Sequence, residues 1–407
     1  MTWASATIGD LVDSGEAQVK TGPFGTQLHA SDYVESGTPV INVRNIGFGN
    51  IRKDKLEFIA DDTVQRLSSH LLQPNDIVFG RKGAVERHVY IQQGQDKWFQ
   101  GSDCLRLRMV SEGRVLARYL SYVFLTKEHQ SWMMQQCSHG ATMPSLNQDI
   151  IKRITLNLPP LPTQRRFTSV LSTYDDLIEN NTRRIAVLEE MARRLYEEWF
   201  VHFRFPGYEE AKFAESSQGA IPEGWVLSTI GNVADLRWGD TNTTKKAYVE
   251  EGYTAFSAAG PDGLLPYYDF DQKGIVVSAI GAHCGLTWLT RGKWSCIKNT
   301  IRLWSTNEGV SNEFLFFATE GKDSWPKRGS AQPFISQADA RSLPIVVPPL
   351  MLERRFRDMA VPCLELAHTL DRKNINLRSQ RDLLLPKLIS GEIDVSKATE
   401  IAQDAAE

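Results

Sequence analysis

The apolar positions of this chain repeat at helical spacing over two long stretches. From Phe167, the residues Leu171, Tyr174, Ile178, Asn181, Ile185, Leu188, Ala192, Leu195 and Trp199 follow at alternating steps of four and three. That spacing keeps one row of side chains on one face of a helix. Sustained over four heptads, it predicts a coiled-coil seam. Shifting every position by 189 gives Phe356, Ala360, Cys363, Ala367, Leu370, Asn374, Leu377, Arg381, Leu384 and Leu388. This second seam has several small residues where the first has large ones, the pattern of two helices that interdigitate. Residues 163–203 as one helix would be about 60 Å long at 1.5 Å per residue, ended by Phe205-Pro206-Gly207. Pro362 and Pro386 fall inside the second stretch and predict a kink or restart there.

Before each seam the period changes. Pro39–Val43, Asp76–Phe79 and Leu105–Met109 are short β-prone runs between Gly, Asn and Asp turns. One helix is expected over about Val115 to Gln136. Residues 221–347 repeat this plan. Ile77-Val78-x4-Gly83-Ala84 returns as Ile275-Val276-x4-Gly281-Ala282, and Trp98 with Leu105-Arg106-Leu107 returns as Trp294 with Ile301-Arg302-Leu303. Trp3-x3-Thr7-Ile8-Gly9 returns as Trp225-x3-Thr229-Ile230-Gly231, and Gly140–Phe167 returns without a gap as Gly329–Phe356, nine of 28 positions being identical. The chain is therefore written twice. Two similar halves can form a pseudo-twofold object, and antiparallel packing of the two helices follows from a twofold. Duplex DNA is the commonest ligand with an approximate twofold of its own.

The expected fold is α+β. Two pseudo-twofold-related, strand-rich domains of mixed α/β character are separated by two long antiparallel helices in a coiled coil. The expected boundaries are 1–158 for the first domain, 159–205 for the central helix, 206–220 for a linker, 221–349 for the second domain, 350–390 for the second helix and 391–407 for a disordered tail. A length of 407 residues agrees with more than one core.

Composition narrows the chemistry. No run approaches the roughly 18 apolar residues of a membrane span, and Met1-Thr2-Trp3-Ala4 opens no signal segment. Cys104, Cys137, Cys284, Cys296 and Cys363 are scattered and never in C-x-x-C spacing, which argues against a disulfide framework and a zinc site. A cytoplasmic protein with no metal of its own is expected. The net charge is −3 and no segment is a basic arm, so nonspecific affinity for nucleic acid should be weak unless partners neutralise phosphate.

No catalytic constellation emerges: G-x-G-x-x-G, P-loop and H-E-x-x-H motifs are all absent from the sequence. Asn157-Leu158-Pro159-Pro160 has the wrong order for an amino-methyltransferase motif, and its counterpart Val346-Val347-Pro348-Pro349 lacks the Asn; Pro-Pro is punctuation between strand and helix. Asp262, Asp271 and Lys273 fit the loose pattern of Mg²⁺-dependent nucleases, the enzyme alternative. A protein-only scaffold is the third reading. The candidate DNA contacts are polar loops at matching places: Arg44, Asn45, Arg81, Lys82, His139 and Thr142 in the first half, and Arg237, Trp238, Lys245, Lys246, Lys327, Arg328, Ser330 and Gln332 in the second. Lys and Arg suit phosphate or guanine, and Gln332 suits adenine.

Several stretches carry a family resemblance: Leu158–Arg166, Leu195-Tyr196-Glu197-Glu198-Trp199-Phe200, Leu384–Ile393, Gly22-Pro23-Phe24-Gly25-Thr26 and Gly140-Ala141-Thr142-x-Pro144. Over almost its whole length the chain resembles the specificity (S) subunits of type I restriction–modification systems. The resemblance implies one target recognition domain per half and no catalysis in this chain. It implies helices that space the domains and dock two methyltransferase (M) subunits, with two restriction (R) subunits completing the nuclease. S-adenosylmethionine would belong to the M subunits, and ATP and Mg²⁺ to the R subunits. Helix packing and docking would then fall to Leu171, Ile178, Ile185, Leu188, Leu195, Leu370, Leu377, Leu384 and Leu388, with Tyr196, Trp199 and Phe200 as an exposed cluster awaiting a partner.

Overall fold

A computed structural model describes residues 3–95, 97–110, 113–138 and 143–393. The chain divides into two compact units, residues 1–179 with 374–407, and residues 180–373. Both divisions fall inside long helices, Leu161–Tyr196 and Leu350–Ile389. Each unit thus holds one strand-rich domain and a share of both helices.

In the first unit, a five-stranded sheet runs in the order Ala17–Thr21, Cys104–Met109, Ile77–Gly80, His88–Tyr90, Phe48–Gly49. A second, four-stranded sheet contains Thr38–Ile41 paired parallel to Phe99–Gln100. Leu105 and Leu107 face the helices and share a core with Ile8, Tyr119, Leu120 and Phe167, whereas Cys104 belongs to a separate cluster with Ile41 and Val78. This is the alternation a two-faced strand imposes.

The second unit repeats the scheme. Ala234–Trp238, Thr300–Ser305, Gly274–Ser278 and Thr287–Thr290 form a sheet in the matching order. Its second sheet pairs Tyr253–Ser257 parallel to Lys293–Cys296. A hairpin, Phe213–Ser216 with Gly219–Pro222, occupies most of the expected linker.

The repeated Thr-Ile-Gly motif has a structural reason. Thr7 and Thr229 are the N-cap residues of short helices, and Ile8 and Ile230 enter the cores. The glycines let a second short helix approach: a Cβ on Gly9 would stand 3.2 Å from the Lys152 carbonyl oxygen, and one on Gly231 would stand 3.1 Å from that of Arg341. Ile8 and Ile230 donate backbone hydrogen bonds to Ile154 (3.0 Å) and Leu343 (2.9 Å), partners that are themselves 189 residues apart.

The seams are as expected. All ten positions of each are buried or half-buried, and most residues between them are exposed. In the first unit, Asp175 pairs with Arg381 at 2.7 Å, Asn374 donates to the Ile178 carbonyl at 3.4 Å, and Phe167 and Leu171 share a core with Leu385 and Leu388. Rising numbers on one helix meet falling numbers on the other, so the helices are antiparallel there. In the second unit, Phe200 stacks edge-on against Phe356 at 5.1 Å, and Ala192 clusters with Leu364, again antiparallel.

Four expectations are corrected. The stretch 115–136 is two helices, Ala117–Phe124 and Lys127–Cys137, because the Thr126 hydroxyl caps a new helix by accepting from the His129 amide. Pro362 and Pro386 do not restart the helix, which is continuous over Leu350–Ile389. Both prolines are exposed, while Ala360, Leu364, Leu385 and Leu388 beside them are buried and hold the inner face. A missing amide on the solvent side leaves its carbonyl partner to water. The first helix stops earlier than Phe205, in a π-helical turn over Glu197–Val201. Finally, Trp199 and Phe200 are only 7% and 6% exposed, and Tyr196 packs against Phe314, Phe317 and Phe356. These aromatics close the core of the second unit and form no exposed cluster.

Candidate nucleic-acid interface

One set of backbone hydrogen bonds brings the candidate loops together, and the same set occurs in both units. In the first, Gly22 donates to Cys104 (2.8 Å), Arg81 to Asp103 (2.8 Å), Leu146 to Arg81 (2.8 Å) and Gly83 to Pro144 (3.0 Å). In the second, Gly239 donates to Thr300 (2.9 Å), Ala279 to Asn299 (2.9 Å), Ile335 to Ala279 (2.9 Å) and Gly281 to Pro333 (2.8 Å). Each unit thus gathers at one end of its main sheet the loop after the first strand, the turn leaving Gly80 or Ser278, the turn before Cys104 or Thr300, and the loop exit at Pro144 or Pro333. Gly83 (φ 75°) and Gly281 (φ 93°) adopt the left-handed conformation that makes the tight turn possible. A Cβ on Gly22 would lie 2.0 Å from the Gly101 carbonyl oxygen, so only glycine fits there.

The structure places the predicted residues unevenly. Arg81 and Lys82 lie on the turn that meets Pro144, and Arg44 lies in the turn whose Val43 and Ile46 pack on Gly80. Arg328, Ser330 and Gln332 lie on an exposed loop closed by reciprocal Arg328–Phe334 hydrogen bonds of 2.9 Å. Lys327 precedes that loop. Arg237 is exposed on a strand, Trp238 is half-buried beside the core of the second unit, and Lys245 and Lys246 are exposed on a short turn. His139 and Thr142 lie outside the described residues.

Asn45 is not available to a base. It is fully buried, and its amide donates to the Arg52 (3.0 Å) and Asp54 (3.1 Å) carbonyls. It acts instead as the clasp of a loop that presents exposed Arg52, Lys53 and Lys55. Those three cations within four positions were a readable signal that loop reasoning passed over. Lys298 was also missed; it is exposed beside Asn299, and its amide donates to the Thr243 carbonyl at 3.2 Å.

Most candidate cations face a carboxylate. Arg44 pairs with Glu57, Lys82 with Asp103 (3.4 Å), Arg237 with Asp235 (3.2 Å), Lys245 with Asp262, Lys327 with Asp323 (3.5 Å), and Arg328 with Asp339 through two 2.6 Å bonds. The carboxylates fix the cations in place, and phosphate would have to compete with them. This local pairing explains how a chain of net charge −3 carries cationic loops.

The nuclease reading fails on geometry. Asp262 and Asp271 sit on Gly260–Leu265 and Phe270–Asp271, the opposite edges of a four-stranded sheet. Three interstrand steps separate those edges, about 14 Å. Asp262 is held by Lys245, Tyr248 and Ser257, and Lys273 by Glu313 (3.0 Å) and Glu365 (2.9 Å). Among the described residues, no group of three or more His, Cys, Asp or Glu could hold a metal. No helix among them is long and apolar enough to cross a membrane.

Comparison with known proteins agrees with the duplication. The family described as type I restriction modification DNA specificity domain matches residues 1–190 and again 222–354. The MjaIX specificity subunit of Methanocaldococcus jannaschii is 23% identical over 71% of this chain and 72% of its own. The HindI specificity subunit of Haemophilus influenzae is 21% identical over 86% of this chain and 94% of its own. The crystal structure of a type I S subunit from M. genitalium shares the fold, with a TM-score of 0.58 at 16% identity over 95% of this chain and 96% of that one. The fold and the duplicated loop cluster define a double DNA-specificity-domain protein. The chain belongs to the family of type I restriction–modification specificity subunits.

Proposed function

We propose that the chain is a non-catalytic reader of a bipartite duplex target, with each unit's loop cluster reading one half-site in the major groove. The observation that carries this is the recurrence of four matching hydrogen bonds at the same end of two sheets. One structural frame is built twice and dressed with different side chains: Arg81, Lys82 and Met143 in one, Ala279, Ile280 and Gln332 in the other. A common frame with variable tips suits two sites that read different bases. The paired helices set the number of base pairs between half-sites, near one DNA turn. They also dock two M subunits, and two R subunits complete the complex. The M subunits bring S-adenosylmethionine and the R subunits ATP and Mg²⁺. With the loop cations already paired to carboxylates, much of the phosphate neutralisation falls to the partners.

Methylome sequencing tests this reading in a host carrying the partner methyltransferase, with and without this chain. A new bipartite N6-methyladenine motif with a fixed gap, dependent on the chain, is the expected result. An active methyltransferase that gains no motif from the chain would overturn it.

A further inference from the structure

Both main sheets place two cations face to face. Arg106 stands directly opposite Lys20 across an antiparallel pair, and Arg302 stands directly opposite Arg237. Like charges in that position repel. The second unit resolves the conflict internally: Asp235 accepts from Arg302 at 3.1 Å and from Arg237 at 3.2 Å, and Arg302 also stacks on Trp304 at 3.9 Å. In the first unit, the strand position that corresponds to Asp235 is Gln18, exposed and uncharged. Among the described residues, Arg106, 2% exposed, donates only to the Ser69 (3.3 Å) and Leu71 (3.2 Å) carbonyls, while the Lys20 ammonium donates to that same Ser69 carbonyl at 3.1 Å. The nearby carboxylate, Asp76, is taken by Arg108 at 2.6 Å.

One buried donor at this place, Arg106 Nε, has no partner among the described residues, while the buried His70 ring and the Gln100 side chain beside it interact with each other. The Gln100 amide donates to the Lys20 backbone carbonyl at 3.0 Å, which places this pair beside the lysine's strand. Burial first, and then the Lys20 and Arg106 charges, push the His70 imidazole down to about 4. Lys20 lies on the edge strand Ala17–Thr21, two residues before Gly22 and the gathered loops.

We propose that Lys20, backed by Arg106, is an oxyanion site that receives a backbone phosphate of the target duplex beside the first unit's loop cluster. The ligand supplies the negative charge that Asp235 supplies in the second unit. The inference rests on the reading of each unit as a DNA-reading domain.

The test uses the full chain assembled with its methyltransferase subunits. Binding of the target duplex is followed by anisotropy over a range of salt concentrations. Lys20→Gln is expected to reduce the slope of log affinity against log salt by about 0.9, the value of one lost phosphate contact. Lys20→Arg restores it, and the methylated motif is the same in all variants. Gln18→Asp installs the missing carboxylate, so it reduces the slope similarly while raising the thermal midpoint, which separates lost contact from lost fold. Slopes unchanged in both Lys20→Gln and Gln18→Asp, with target still bound, would overturn the proposal. Inorganic phosphate at constant ionic strength is the second arm. Protection of the wild type but not of Lys20→Gln, without a change in slope, would assign the site to free phosphate and overturn the duplex contact. Failure of the unmodified complex to bind any target is a different outcome, and it refutes the DNA-reading function itself.

Discussion

The Gly281 amide donates to the Pro333 carbonyl at 2.8 Å, and the Gly83 amide donates to the Pro144 carbonyl at 3.0 Å in the other unit. Each bond ties the turn leaving a central strand to the loop that precedes a short helix. The turn closes only because both glycines hold a positive φ. An L side chain there costs about 1–3 kcal/mol of backbone strain. Gly281→Val is therefore expected to lower stability by that amount in denaturant unfolding and to weaken target binding. Gly15, also at positive φ but outside the loop clusters, is the control: Gly15→Val should cost stability with little effect on target choice.

Gln164 and Glu353 occupy matching positions at the start of the two long helices, both fully buried. Gln164 accepts from the Leu116 amide (2.9 Å) and donates to the Arg114 (2.9 Å) and Pro159 (2.8 Å) carbonyls. Glu353 accepts from the Ser311 amide at 3.1 Å, but its other oxygen is buried without a partner among the described residues. An amide serves this position better than a carboxylate. Glu353→Gln is expected to raise stability by about 1 kcal/mol and Gln164→Glu to lower it by more, because it strips two carbonyls of their donor. Thermal unfolding of the paired variants measures both signs.

Asp175 gathers three donors in the first unit: Arg118 (2.7 Å), Tyr122 (2.6 Å) and Arg381 (2.7 Å). It ties the recognition domain to both helices at once. Asp175→Asn removes the charge, leaving the half-buried Arg118 guanidinium without its anion and Arg381 with Asp382 alone (2.9 Å). The expected loss is about 2–3 kcal/mol, read as a lower denaturant midpoint. An unchanged midpoint would show that the network contributes nothing net.

His88 and His129 are buried among Phe79, Phe124 and Trp132. Burial pushes His88 down to about 3, helped by His129 and Arg118, and pushes His129 down to about 4. The unfolded chain takes up these protons near pH 6.5, whereas the folded chain does so only near pH 3–4. Their stabilisation is therefore complete above pH 6.5 and is lost as pH falls from 6.5 toward 4. Each contributes up to about 1.4 kcal/mol per pH unit in that window. Melting from pH 8 to pH 5 should show a steep fall below 6.5, flattened in His129→Phe.

The helix seams were legible because a heptad rule involves only neighbours on one surface: every seam position from Phe167 to Trp199 is buried or half-buried. The duplication was legible because Pro-Pro-Leu and Thr-Ile-Gly recur as identical residues at matching places in both halves. The fate of individual polar residues was not. Asn45 reads as a surface residue, and it is buried because a loop seven to nine residues later folds back onto its amide. Tyr196, Trp199 and Phe200 continue an amphipathic pattern, yet Phe314 and Phe356 from distant segments cover them. Asp262 and Asp271 are close in sequence, but strand order puts them on opposite edges of one sheet. For the aromatics and the two aspartates the deciding contacts are long-range, and for Asn45 the contact is a fold-back of its own loop.

The central claim is that the two units read separate half-sites through their own loop clusters. The most direct measurement is the methylome of a variant in which Ser330 and Gln332 of the exposed loop, with Lys245 and Lys246, are replaced by alanine. The account predicts that one half of the bipartite motif relaxes or changes while the other half and the gap between them stay the same. A change in both halves, an altered gap or an unaltered motif would contradict it.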